Sequence, residues 1–341
     1  MLKTKKTLFV ALITCLVLVF AITSFSIANN TEDNLGKLEM NPLPKTGSNG
    51  CFKELNINCS IPQTPSEMKV YIVKDAKLSK DDMKKYTSNL GINGDIKEND
   101  GKYAVIDAVY GTTSFTLDKK TGSFNYYTKE LADAIKPINN LLTDEEYKDI
   151  AEKFLKEKGL MKEGAYYRKT LRHTIGKTNQ PEQVCLVEAV FTRDLNEIPW
   201  TGVGPKMSVY FGDNGKIIGA ASVWRDIEEF EDYPLISPQQ AMEQITKGNA
   251  TVYLENVPEA TGEIENIELI YLNRSLGYNQ KYVIPHYMLQ GHTPDGHKFK
   301  AITRAIPQQL ISEVPYKDIK VESTPRTERK LTPDGSDEDE Q

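Results

Sequence analysis

Three segments of the chain share one pattern of apolar and polar positions. The first opens at "LSKDDMKKYTSNL". Ser79 is a helix cap, Asp81 and Asp82 stand in the first turn near the helix's positive end, and Met83, Tyr86 and Leu90 recur at helical spacing. The second opens at "LTDEEYKDIAEKFLKEKGL". Thr143 and Glu146 have the spacing of a capping box, Tyr147, Ile150, Ala151, Phe154 and Leu155 share one face, and Gly159 is a natural stop. The third opens at "YPLISPQQAMEQI". Ser237 caps, Pro238 takes the first helical position, Gln240 stands three residues after the cap, and Ala241, Met242 and Ile245 form the apolar face.

Each helix is followed by runs that alternate with period two. In "KYAVIDAVYGTTSFTLDKKTGSFNYYTK" the chain leaves one strand at Leu117 and re-enters another at Phe124, which predicts a hairpin. Asn214-Gly215 in "GDNGK" and the Pro294–Gly296 stretch in "TPDGH" are further tight turns. The pattern predicts an α+β fold: tandem modules of one capped helix packed on a small antiparallel sheet, after an N-terminal signal or anchor segment. The expected boundaries are a signal peptide or anchor over 1–28, a flexible spacer over 29–66, modules over 67–136, 137–232 and 233–321, and a disordered acidic tail over 322–341.

The two ends change the picture from fold to location. "MLKTKK" is a positive n-region, followed by the uncharged run Leu8–Ala28, with Ser26 and Ala28 in the small-x-small arrangement of a signal-peptidase site. The run is also near the ~20 residues that span a bilayer, so retention as a single anchor, with the lysines inside, is the other reading. Both place the body outside the cytoplasm, secreted or held at the cell membrane. The spacer is rich in Asn, Pro, Thr, Ser and Gly, and the tail ends in Asp337, Glu338, Asp339 and Glu340. A net charge of −6 over 341 residues, with no basic stripe, excludes ordinary nucleic-acid binding.

The third segment carries a resemblance. Ser237, Gln239, Gln240 and Ala241, then Pro285, Tyr287 and Gly291 in "YVIPHYMLQG", then Ala305 and Ile306, resemble the extracytoplasmic modules of the PepSY, YpeB and YycI/YycH group. "LTDEEYKDIAEKFL" resembles the same helix opening, so the resemblance runs from Thr143 to Ile306. The group often has Trp in the run after Pro, where this chain has His286 and Tyr287. The resemblance implies a secreted or membrane-anchored, non-enzymatic regulator, acting on sensor kinases of the envelope or on proteases.

Candidate chemistry adds little to that. His286, His292 and His297 lie close enough in sequence to raise zinc or copper binding, against a cross-strand polar pair on a hairpin. Cys51 and Cys59 could close a small disulfide loop. Cys185 and His173 stand on neighbouring strand-like runs, without the features of a nucleophilic site. Trp200, in a loop bounded by Pro199 and Pro205, is a candidate contact residue, as are His286, Tyr287, His292 and His297. No catalytic motif occurs, and nothing calls for a cofactor. The expected function is a regulatory interaction module of the bacterial cell envelope. It would dock on a membrane or envelope protein, such as a sensor kinase, by a sheet edge or hairpin surface. A cell-wall polysaccharide-binding protein is the alternative, and a hydrolase with an unrecognised site is the third. N-terminal sequencing of the exported protein separates the two leader readings: cleavage leaves Asn29 first, whereas retention leaves the leader in place.

Overall fold

The structure is a computed structural model describing residues 35–44, 52–108, 113–132, 136–176, 181–202, 204–254, 260–274 and 280–315. Strands β1 (Leu38–Met40), β2 (Phe52–Ile57) and β3 (Glu67–Lys74) precede helix α1 (Lys80–Leu90). Next come β4 (Lys97–Asn99), β5 (Lys102–Ile106), β6 (Ser114–Asp118), β7 (Phe124–Tyr127), the short α2 (Lys129–Ala132) and α3 (Asp144–Glu157). The chain continues through β8 (Tyr166–Ile175), β9 (Gln183–Thr192), β10 (Asp194–Leu195), β11 (Ile198–Gly202), β12 (Lys206–Phe211), β13 (Ile217–Val223) and β14 (Asp226–Pro234). After α4 (Pro238–Thr246) stand β15 (Thr251–Leu254), β16 (Ala260–Asn273), β17 (Tyr282–Val283), β18 (Pro285–His292), β19 (Lys298–Arg304) and β20 (Ile311–Glu313). The starts of α1, α3 and α4 are full capping boxes, Ser79 with Asp82, Thr143 with Glu146 and Ser237 with Gln240.

The expected tandem of small helix-on-sheet modules is not what the chain forms. Strands make up 48% and helices 17%, so the protein is mostly β, built on large antiparallel sheets. The strands after α1 and α3 merge into one eight-stranded sheet, ordered β4-β5-β6-β7-β13-β12-β9-β8. The seam is the antiparallel pair β7–β13, with Phe124 opposite Ser222 and Tyr127 opposite Gly219. Each four-strand set alone would leave the backbone groups of its last strand unpaired, and joining the last strands satisfies both. The join also gives α1 and α3 one shared core. Met83 from α1 and Tyr147, Ala151 and Leu155 from α3 pack on Phe115, Phe124, Phe191 and Phe211. Among the described residues, the other face of this sheet carries no long helix.

The third segment does not stay within its own boundaries either. Helix α4 packs on a seven-stranded sheet, ordered β10-β11-β16-β18-β19-β15, with β2 also on β16. The fourteen-residue β16 holds β2 parallel along its first half and β11 parallel at its end, with Trp200 opposite Tyr271. A third sheet, β14-β3-β17, draws on all three expected modules, and β1 pairs parallel with β20. Residues 38–40 and 52–57, expected in a flexible spacer, are therefore strands, and Leu38 and Phe52 are buried at 1% and 2% exposure. The 1–28 leader and the 322–341 tail lie outside the described residues. Among the described residues, no helix is long and apolar enough to cross a membrane.

A buried arginine–tryptophan cluster joins the two large sheets. Just past β9, the Arg193 guanidinium lies 4.4 Å from the Trp200 ring of β11 and 4.7 Å from the Trp224 ring beyond β13. Arg193 Nη2 donates to the Arg225 carbonyl, and Arg225 Nη1 donates to Asn273 Oδ1 and to the Arg274 carbonyl, both at 2.7 Å. Ser123 Oγ donates to the Trp224 carbonyl and accepts from its N–H, both at 3.0 Å. Burial lowers both guanidinium groups to about 10, which leaves them charged at neutral pH. For Arg193 the two indole faces offset part of that desolvation. Arg193→Ala should lower the unfolding free energy by about 3 kcal/mol, because it empties the space between the rings and removes the cation. Urea denaturation measures this; a loss under about 0.5 kcal/mol, the range of ordinary surface changes, contradicts it.

Candidate binding cleft

A cleft of about 420 Å³ opens where the helix-free face of the eight-stranded sheet meets the seven-stranded sheet. Strand register sets its walls. In β8, β9 and β12, the residues Thr170, Ala189 and Val209 turn to the helices, and the register shift after Tyr167 puts Tyr167 on that side too, so Lys169, Leu171, Val190 and Lys206 turn to the open side. The opposite wall is Glu268, Ile270 and Met288 from β16 and β18, whose partners on alternate positions face α4. The β10–β11 hairpin closes one end with Asp194, Pro199, Trp200 and Thr201. The loop into β12 passes so close that a side chain at Gly204 would meet the Val223 carbonyl and Asn273 Nδ2. Thr192 Oγ1 ties that loop down by donating to the Pro205 carbonyl, 3.0 Å.

The cleft is amphipathic. Its volume falls within the few hundred to about 1,000 Å³ typical of ligand sites. Arg168 and Lys169 have no carboxylate partner within salt-bridge reach among the described residues, though Arg168 Nη1 donates to Tyr166 Oη at 3.3 Å. Tyr166 in turn donates to Asp194 Oδ2 at 2.8 Å, placing one carboxylate at the rim. Lys206 reaches from the cleft wall to Glu188 Oε1, 2.6 Å. Glu188 is buried, and also takes Ser208 Oγ at 2.6 Å and His173 Nε2 at 2.9 Å. Burial pushes its carboxyl up, but Lys206, Ser208 and His173 together outweigh that and hold it below the usual range. The Ser208 hydroxyl therefore donates to an ionised carboxylate. His173 is bonded to that carboxylate rather than to Ser208, so the four groups lack the nucleophile–base contact of a hydrolytic triad.

The residues singled out from sequence are not brought together. His286 is 4% exposed, with Nδ1 2.9 Å from the Ile284 carbonyl. Tyr287 faces the opposite side, in the α4 core, and donates to the Ile236 carbonyl at 2.8 Å. His292 lies six residues along the same strand from His286, about 20 Å away. It stands 3.5 Å from Glu265, while His297 in the following turn stands 3.4 Å from Asp295. No group of three metal-ligating side chains occurs among the described residues. Trp200, 3% exposed, packs under Arg193 and also lines the cleft, with Nε1 unpartnered among the described residues. Cys185 Sγ contacts the His173 carbonyl at 3.5 Å, so thiol and imidazole are not paired. Cys59 packs partly buried against the α4 core, and Cys51 lies outside the described residues. Gly291, part of the resemblance, has a physical reason: a side chain there would run into the Glu263 carbonyl where β16 bulges.

Sequence reading missed Lys169, Lys206, Asp194 and Glu268, because four separate strands supply them and no spacing links them. No protein-family model and no curated protein matches the sequence. Among solved structures, the chain is similar to an uncharacterized protein from Eubacterium rectale, at 13% identity and a TM-score of 0.43, over 74% of this chain and 89% of that one.

Burial, reinforced by Arg304 and Arg274, lowers the His286 imidazole from 6.5 to about 3. Between those pH values the unfolded chain holds the extra proton, so this contribution is full above 6.5 and declines as pH falls toward 3. The decline should be about 1.4 kcal/mol per pH unit. Urea unfolding at about pH 7 and about pH 5 should show the loss, and His286→Asn should flatten it. Equal slopes in the two proteins contradict the assignment.

Proposed function

We propose that this chain is a non-enzymatic, extracytoplasmic interaction module that binds a membrane or envelope protein through the cleft between its two large sheets. The observation that carries the reading is the cleft's makeup. Lys169 and Arg168, without carboxylate partners among the described residues, stand on one wall, and apolar Ile270 and Met288 stand with Glu268 on the other. Such a surface suits a polypeptide segment with carboxylates and apolar side chains, since charge complementarity sets register and apolar burial supplies affinity. The bonding of Ser208 and His173 to Glu188 supports binding rather than hydrolysis. The N-terminal run Leu8–Ala28 and the resemblance of Ser237–Ile306 to envelope regulators support the location and the kind of partner, a membrane sensor among them.

A photo-crosslinking residue in place of Asp194, at the cleft rim, tests this in intact cells. The expected product is a covalent adduct with a membrane or envelope protein, identified by mass spectrometry. Adducts containing only glycan, or no adduct, overturn the reading.

A further inference from the structure

The eight-stranded sheet has two edges, and they differ. At one end β4 is a three-residue strand, all of it exposed, which offers little to pair with. At the other end β8 runs for ten residues, pairs on one side with β9, and meets no strand on its other side among the described residues. Register shifts after Tyr167 and after His173 bound a regular stretch, Lys169–His173. Within it Lys169, Leu171 and His173 face the open side of the sheet, and Thr170 and Arg172 face the helix side.

Both sides of this edge are hollow. The open side is the 420 Å³ cleft with Lys169 and Lys206. The helix side is a second hollow of about 480 Å³ between β8 and α3, lined by Met161, Ala165, Tyr167 and Phe191, with the ion pairs Lys148–Glu145 and Lys156–Glu152 of α3 at its rim. A strand added along β8 sends alternate side chains to opposite faces, so one chain would fill both hollows at once.

We infer that β8 is a docking edge that takes an extended segment of a partner protein by strand addition. Carboxylates of that segment face Lys169 on the open side, and its apolar residues enter the hollow beside Tyr167. Charge decides the class of occupant. The chain as a whole is acidic, at −6, yet β8 carries Arg168, Lys169 and Arg172, and among the described residues only Arg172 of these has a carboxylate partner, Asp144 at 2.6 Å. An acidic extended segment gains these cations and a basic one is repelled. This inference rests on the cleft reading above and adds the backbone pairing and the pattern of the partner.

The probe is a blocked peptide of about ten residues alternating Glu and Val, the length of β8, added to the full exported protein. The expected result is saturable binding with slowed amide hydrogen exchange across Tyr166–Ile175, and binding about tenfold weaker in Lys169→Glu. A Lys/Val peptide should not bind. Absence of binding, unchanged exchange in β8, or equal binding of the same peptide N-methylated at alternate nitrogens overturns strand addition. Lys169 is exposed, so its variant should fold, and circular dichroism checks that. The Asp194 cross-link separates the two ideas. A partner captured at Asp194 whose capture the Glu/Val peptide does not reduce leaves the cleft reading standing and removes the docking edge.

Discussion

A guanidinium held between two indole rings is the contact on which the arrangement of this protein depends. Arg193 follows the last residue of β9, Trp224 follows β13, and Trp200 lies in β11, which belongs to the other large sheet. The cation therefore joins elements that sequence keeps apart. Burying it costs desolvation, reflected in a guanidinium lowered to about 10, and the facing rings return part of that cost. The neighbouring Arg225, bonded to Asn273 and to the Arg274 carbonyl at the end of β16, repeats the same tie one residue beyond Trp224. An arginine suits this place better than a lysine because its flat, weakly hydrated fork can stack and donate together.

From that tie follows the cleft. Its walls come from β8, β9 and β12 on one side and β16 and β18 on the other, and the β10–β11 hairpin between them carries Trp200. The hairpin is thus both the clamp and the end wall. Its Trp200 packs on Arg193 and, with Pro199 and Thr201, lines the cleft. One short segment therefore serves both the packing of the junction and the lining of the cleft.

Local features of the fold were legible in the sequence. Ser79, Thr143 and Ser237 begin helices as capping residues must, and the hairpins at Gly122, Asn214 and Gly296 follow turn chemistry. These signals act within a few residues. What the sequence did not disclose is which strand lies beside which. β2 pairs with β16 across two hundred residues, β3 pairs with β14, and two meanders fuse through β7 and β13. Alternation says that a run is a strand and which positions share a face, but it is silent on the partner, so repeated helix-plus-strand patterns read as separate small domains. The candidate site was hidden for the same reason. Trp200 drew notice as an aromatic in a Gly–Pro loop, whereas its partner Arg193 and the cleft residue Lys169 carry no local mark.

The protein that emerges is a β-rich body in which an acidic chain gathers Arg168, Lys169 and Arg172 along one long strand edge, beside an amphipathic cleft. Binding at such a place needs the two sheets to behave as one body. The chain's two tryptophans, Trp200 and Trp224, both stand at the junction, so their fluorescence reports it selectively. The most direct measurement is equilibrium urea unfolding followed in parallel by tryptophan fluorescence and far-ultraviolet circular dichroism. If the Arg193 junction unites the sheets, the two curves coincide in a single transition. A fluorescence change complete before the sheets unfold would contradict that account.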